Sequence, residues 1–148
     1  MAEYPYGFRS LIVWQKSQGL ALEIARLVAG LPRDSVASVL GRQIMASAAS
    51  IGANIAEGYG RYAVGAYCNH LSIARGSACE TDGWLDLPRR TGYLDAATES
   101  KPHQQCLELI RMLTAKILAL DRQRAGTSAI REAGPLYDAP DYADGAPP

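Results

Sequence analysis

The sequence predicts an all-α protein, an antiparallel up-down-up-down four-helix bundle, and two observations predict it. Apolar residues recur at spacings of three and four through four separate stretches, and the stretches are joined by short connections that carry glycine and proline. Alternating, strand-like patterning and internal repeats are absent from the sequence. A chain of 148 residues that is 48% hydrophobic suffices for one domain with one core. The expected division is an extended arm over 1–10, the bundle over 11–125 and an acidic, disordered tail over 126–148.

The arm has Pro5, Gly7 and three aromatic residues and no period. The first helix is expected over 11–29, where Val13, Ser17, Leu20, Ile24, Leu27 and Leu31 mark the core line. Trp14, Ala21 and Val28 widen that face, and Gly30 and Pro32 stop the helix. Asp34 and Ser35 are the candidate caps of the second helix, which runs to about Gly58.

Within the second helix, 43–61 is the most informative stretch, QIMASAASIGANIAEGYGR. Leu40, Ile44, Ala48, Ile51 and Ile55 form a buried seam, and Gln43, Ser47, Ser50, Asn54, Glu57 and Arg61 form a polar line beside it. That line is either a row of interhelical hydrogen bonds or a surface offered to a partner. On the other flank, Gly41, Met45, Ala49, Gly52 and Ala56 are mostly small and let a neighbouring backbone come close.

The third helix is expected over 64–87 on the line Tyr67, Leu71, Ala74, Ala78 and Leu85, with Cys68, Ile73 and Trp84 alongside. A proline inside a helix costs about 3 kcal/mol, so a stop or sharp kink is expected before Pro88, with Gly92 as the hinge of the following turn. The fourth helix, 97–124, follows Cys106, Ile110, Leu113, Ile117 and Leu120, with Pro102 expected in its first turn.

Fifteen basic and fifteen acidic residues give zero formal net charge, distributed unevenly. Over 126–148 there is one basic residue, Arg131, against Glu132, Asp138, Asp141 and Asp144, a net of −3, which leaves +3 on residues 1–125. No apolar run is long enough to span a bilayer, and the N-terminus lacks the basic and apolar regions of a signal peptide. Three cysteines, an odd number, fit reduced thiols and a cytoplasmic location.

No enzyme chemistry is expected. Glu57 is in helical reach of Asn54 and Arg61, which suits an ion pair more than a general acid, and neither Ser50 nor Ser77 has a base beside it. No metal-ligand spacing occurs. Cys68 and Cys79 are about 16 Å apart along one helix, His70 and His103 lie on different helices as surface or edge residues, and the cysteines read as small buried thiols. The glycines at 58 and 60 follow a helix and lack the lysine of a phosphate loop, so no cofactor site is expected.

Two functions from different classes remain. One is a homo-oligomeric protein-binding scaffold without nucleic-acid affinity, whose polar network is Gln43, Ser50, Asn54, Glu57 and Arg61. The other is an RNA- or DNA-binding accessory protein, in which Arg42, Arg61, Arg75, Arg111 and Lys116 meet phosphates while Tyr59 and Tyr62 stack on unpaired bases.

Over residues 8–125 the stretches FRSLIVWQKSQGLALEI, QIMASAASIGANIAEGYGR, LSIARGSACE and TGYLD resemble the four-helix-bundle proteins encoded in intervening sequences of bacterial large-subunit ribosomal RNA genes. The accessory variability proteins of diversity-generating retroelements are similar. The resemblance implies a bundle assembled as a homopentameric ring. For the retroelement members it also implies a basic surface that binds nucleic acid and a partner reverse transcriptase. The chain departs from the family pattern at Met45 and Ala46, where two arginines are usual, at Gly52 in place of proline, at Gly65 and Ala66 in place of lysine and glutamate, and at Pro88. The absent arginines weaken the nucleic-acid function and leave the fold untouched.

Overall fold

The computed structural model describes residues 7–132, with side chains through residue 126. Residues 1–6 of the expected arm and 133–148 of the expected tail lie outside the described residues. Four helices follow a 3-10 turn at Gly7–Ser10: α1 at Ile12–Ala29, α2 at Ser35–Tyr59, α3 at Val64–Arg90 and α4 at Ala96–Glu132. Short connections force consecutive helices to run antiparallel. Each helix packs on its neighbours in sequence and α1 closes on α4, while among the described residues the backbones of the diagonal pairs stay more than 8 Å apart. Among the described residues no helix is long and apolar enough to cross a membrane.

The apolar lines converge on one core. Leu20 and Ile24 of α1, Ile44, Ile51 and Ile55 of α2, Leu71 and Leu85 of α3, and Leu109 and Leu113 of α4 are all buried. Each contributes about 1.5–3 kcal/mol by leaving water. Ile73 departs from expectation and is exposed, because it falls off the line that Leu71, Ala74 and Ala78 draw toward α2 and α4.

Helix ends follow local chemistry. Asp34 is the cap of α2, its Oδ1 accepting from the Ala37 amide at 2.8 Å, while Ser35 is the first helical residue. The C-cap of α2 is Gly60, two residues beyond the expected Gly58. Asp95 Oδ1 accepts from the Thr98 amide at 2.7 Å and caps α4.

Both prolines depart from expectation. Pro88 lies inside α3, which continues to Arg90. The missing amide removes one bond near a helix end, the ring is buried, and the Pro88 carbonyl accepts from the amides of Tyr93 and Leu94 at 2.8 and 3.1 Å. Gly92 makes the turn at φ +81°, as expected of a hinge. Pro102 is the seventh residue of α4, in its second turn, with its ring buried in the core. Helix α4 also runs eight residues past the expected end at Arg124, since no glycine–proline pair occurs before Gly134 and Pro135.

Close approach rests on glycines of α2, Gly52 and Gly58 among them. A Cβ at Gly52 would fall 2.2 Å from Gln18 Nε2 and 2.9 Å from Ser17 Oγ of α1. At Gly58 it would fall 2.7 Å from His70 Cβ and 3.0 Å from Tyr67 Cδ2 of α3. Gln18 can swing its amide away, whereas His70 Cβ is fixed to the backbone. Gly58→Ala is therefore expected to lower the unfolding free energy by about 1–2 kcal/mol, overpacking exceeding the gain in helix propensity. Gly52→Ala should cost less. Urea unfolding followed by circular dichroism measures both, and a Gly58→Ala protein as stable as the parent would refute the close contact.

Candidate functional site

The polar line of α2 faces α3. Ser47 is buried and donates to the Ile44 carbonyl at 3.0 Å, while Thr81 Oγ1 of α3 lies 3.0 Å from Ser47 Oγ and 2.8 Å from the Ser77 carbonyl. One turn along, Ser50 Oγ and Ser77 Oγ are 3.0 Å apart. Asn54 Nδ2 donates to the Ser50 carbonyl and hydroxyl at 2.9 and 3.0 Å, which leaves Asn54 Oδ1 facing His70 Nδ1 at 3.3 Å. His70 Nε2 then stands 3.8 Å from Glu57 Oε1, and Glu57 pairs with Arg61.

The line is thus a row of hydrogen bonds between α2 and α3, grading from buried Thr81 to exposed Arg61. Gln43, at the other end of the line, is exposed and stands apart from the row. His70 is an edge residue of the α2–α3 seam: its side chain is 15% exposed and stands between Asn54 and Glu57. His103 likewise has a partner, Asp82 Oδ1 at 2.5 Å across α3 and α4.

The seven candidate nucleic-acid residues do not form one site. Arg42 stands near the start of α2, donates to Ser38 Oγ at 3.1 Å, and lines a cleft of about 690 Å³ with Leu31, Arg33 and Met45. Arg75 donates to Thr114 Oγ1 at 2.8 Å on the outer α3–α4 surface, and Arg111 is one turn before Thr114. Tyr59, Arg61, Tyr62 and Lys116 gather at the opposite end of the bundle from Arg42. There Tyr59 meets Tyr67 edge to face at 6.3 Å, Lys116 Nζ lies 5.7 Å over the Tyr67 ring, and Tyr62 is fully exposed.

Two residues that the sequence did not single out for this purpose complete this end. The Arg124 guanidinium lies against the first turn of α3, 3.5 Å from where a Gly65 Cβ would stand, and pairs with Asp121 at 3.3 Å. Tyr67 was legible only as a core residue. Its hydroxyl is buried without a hydrogen-bond partner among the described residues, and burial raises its pKa above the ordinary tyrosine value. With exposed Arg122, the cations Arg61, Lys116, Arg122 and Arg124 gather at this end beside the carboxylates of Glu57 and Asp121. Helix α3 begins here with no side-chain cap and no acidic residue in its first turn, so its dipole adds to the positive field.

The thiols separate by burial. Cys68 and Cys106 are buried as expected, and Cys79 is exposed because it falls one residue past the buried Ala78. Burial, with Asp82 nearby, pushes the Cys106 thiol up to about 12. No group of three or more His, Cys, Asp or Glu among the described residues is placed to hold a metal ion.

Residues 9–115 match the family model of the 23S rRNA-intervening sequence protein. A crystal structure of a protein of unknown function from the S23 ribosomal protein family of Bacteroides thetaiotaomicron VPI-5482 is 32% identical, with a TM-score of 0.68. The similarity covers 72% of this chain and 98% of that one. No curated protein matches the chain.

Asn54→Leu should cost about 1–3 kcal/mol, because it strips Ser50 and His70 of a partner inside a packed seam, while Gln43→Ala should change stability by less than about 0.5 kcal/mol. Denaturant midpoints decide, and equal effects would mean that the row contributes nothing. Cys106 binds its proton more tightly folded than unfolded, so its contribution is fully present below about pH 9 and is lost as pH rises toward about 12. The expected slope is about −1.4 kcal/mol per pH unit within that window. A thiol reagent at neutral pH should modify one cysteine of the folded chain, Cys79, and all three after unfolding. Rapid modification of Cys106 in the folded protein would contradict its burial.

Proposed function

The chain belongs to the 23S rRNA-intervening sequence protein family, and on that premise we propose that it is a non-enzymatic, homo-oligomeric accessory protein that binds nucleic acid through one end of its bundle. The observation that carries this reading is the gathering of Tyr59, Arg61, Tyr62 and Lys116 with Arg124 at that end. Guanidinium and ammonium groups neutralise phosphates, and an exposed tyrosine such as Tyr62 offers a ring on which an unpaired base stacks. An RNA strand suits this better than duplex DNA, since the stacking surface needs bases that are not already paired.

Assembly multiplies the effect. A cyclic ring needs two different patches that fit each other. Exposed Ile12 of α1 and Leu118 of α4 offer one, beside an apolar cleft of about 460 Å³ between α1 and α4. Ile73 and Leu87 of α3 supply the other, with Gly76 and Gly83 between them leaving open space on the helix surface. A pentamer would repeat the basic end five times and raise the field at each copy. A reverse transcriptase is the protein partner to test by co-purification.

Light scattering behind size exclusion, at low and high salt and with and without a mixed RNA preparation, tests the function. The expected result is a mass of five 15.9 kDa chains that increases with RNA at low salt only. Arg61→Gln and Lys116→Gln should each reduce the salt slope of RNA affinity by about one. Ile12→Asp should release monomers. A ring indifferent to RNA would leave a protein-binding scaffold, and a monomeric parent chain would remove the assembly.

A further inference from the structure

We propose that His70 is a proton-sensitive positioning residue of the basic end: on gaining a proton its ring draws Glu57 away from Arg61, and the freed guanidinium binds a phosphate. The release of Arg61 stands on the geometry of the seam, while the phosphate contact rests on the nucleic-acid function proposed above.

The hydrogen-bond row fixes the tautomer of the ring. The Ser50 carbonyl can only accept, and Asn54 Nδ2 donates to it at 2.9 Å. Asn54 Oδ1 is therefore the atom that faces His70 Nδ1 at 3.3 Å, and an amide oxygen also only accepts. Nδ1 must carry the proton of the neutral ring. That leaves a lone pair on Nε2, which stands 3.8 Å from Glu57 Oε1. Two acceptors thus face each other at a distance too long for a hydrogen bond. A proton on Nε2 converts this pair into an attractive contact between imidazolium and carboxylate.

The two cations then compete for one atom. Arg61 Nη2 pairs with the same Oε1 that His70 Nε2 faces. The side chains of Arg61 and Glu57 are half exposed, and an exposed pair one turn apart on a helix contributes little. The ring lies deeper in the seam, where its charge is less screened by water and salt. The imidazolium is therefore the stronger partner for Glu57. With the ring neutral, Glu57, His70 and Arg61 together carry no net charge; with it protonated they carry +1, and Arg61 is the member that reaches solvent.

The surroundings leave this exchange to His70. Among the described residues the polar contacts of its ring are Asn54 and Glu57, both on α2. On α3 itself, Tyr67 is one turn earlier and stays neutral, since burial raises its pKa, and Arg75 donates to Thr114. From α4, Lys116 lies over the Tyr67 ring and Arg124 pairs with Asp121. The second histidine, His103, stands beside Asp82 on the α3–α4 seam near the other end of the bundle and provides an internal control.

Measurements at about pH 7.5 and about pH 5.5, either side of the ordinary histidine range, test both halves. Nitrogen NMR of the imidazole rings should show His70 as the Nδ1–H tautomer at the higher pH. The Arg61 side-chain Nε–H signal should become more mobile at the lower pH, and in His70→Gln it should stay ordered at both. At fixed low salt, affinity for single-stranded poly-uridine should rise severalfold on acidification in the parent and in His103→Gln. The rise should be much smaller in His70→Gln, and Glu57→Gln should bind tightly at both pH values. An Nε2–H tautomer, an Arg61 signal indifferent to pH, or an undiminished pH response in His70→Gln would overturn the switch. Release of Arg61 at low pH with no poly-uridine binding by any of these proteins would uphold the switch and reject the nucleic-acid function.

Discussion

Three polar side chains of α2, Ser47, Ser50 and Asn54, face another helix instead of water, and the rest of the bundle depends on how that helix answers them. A polar group turned into a packed interface and left unpaired costs about 1–3 kcal/mol. Helix α3 supplies Thr81, Ser77 and His70 at the matching heights. Short side chains satisfy one another only at short range, so the hydrogen bonds and the close backbone approach at Gly58 require each other. Apolar burial would hold two helices together in several registers. Hydrogen bonds between particular hydroxyls and amides select one.

The same row reaches the molecular surface. It begins at Thr81 in the core and ends at the Glu57–Arg61 pair, with His70 as the last half-buried member. The orientation of Arg61 is therefore tied to the α2–α3 seam, and Tyr59 is held against Tyr67 by the same approach of the two helices. Structural and surface roles meet in one line of residues. An exposed ion pair such as Glu57–Arg61 contributes little to stability by itself, so its arginine can change partners at small cost.

Charge in this protein is arranged by position more than by quantity. The zero formal net charge conceals a basic body and an acidic C-terminal segment. Within the body, Lys16–Glu108 and Lys101–Glu23 join α1 to α4, whereas the cations at the far end of α4 outnumber their carboxylates. The two lysines at the seam pair across helices, while at the end of the bundle Lys116 lies over the Tyr67 ring and Arg61 and Arg124 pair with carboxylates of their own segments.

Helix count, the core line of α2 and the Asp34 cap were legible in the sequence because each is local: a period of 3.6 residues or one side chain next to one backbone amide. Pro88 inside α3 was not legible, since its tolerance depends on its place in the last turn of the helix and on the burial of its ring against the bundle. Nor were the roles of His70, Cys79 and Tyr67. Periodicity assigns a residue to a face of its own helix but does not say which residue of the next helix stands opposite. Only packing set the heights that place Lys116 over Tyr67 and Arg124 against Gly65. The sequence by itself determined that four amphipathic helices form and which faces they bury, and tertiary structure decided the register between them, because register is a property of two surfaces in contact and not of either one.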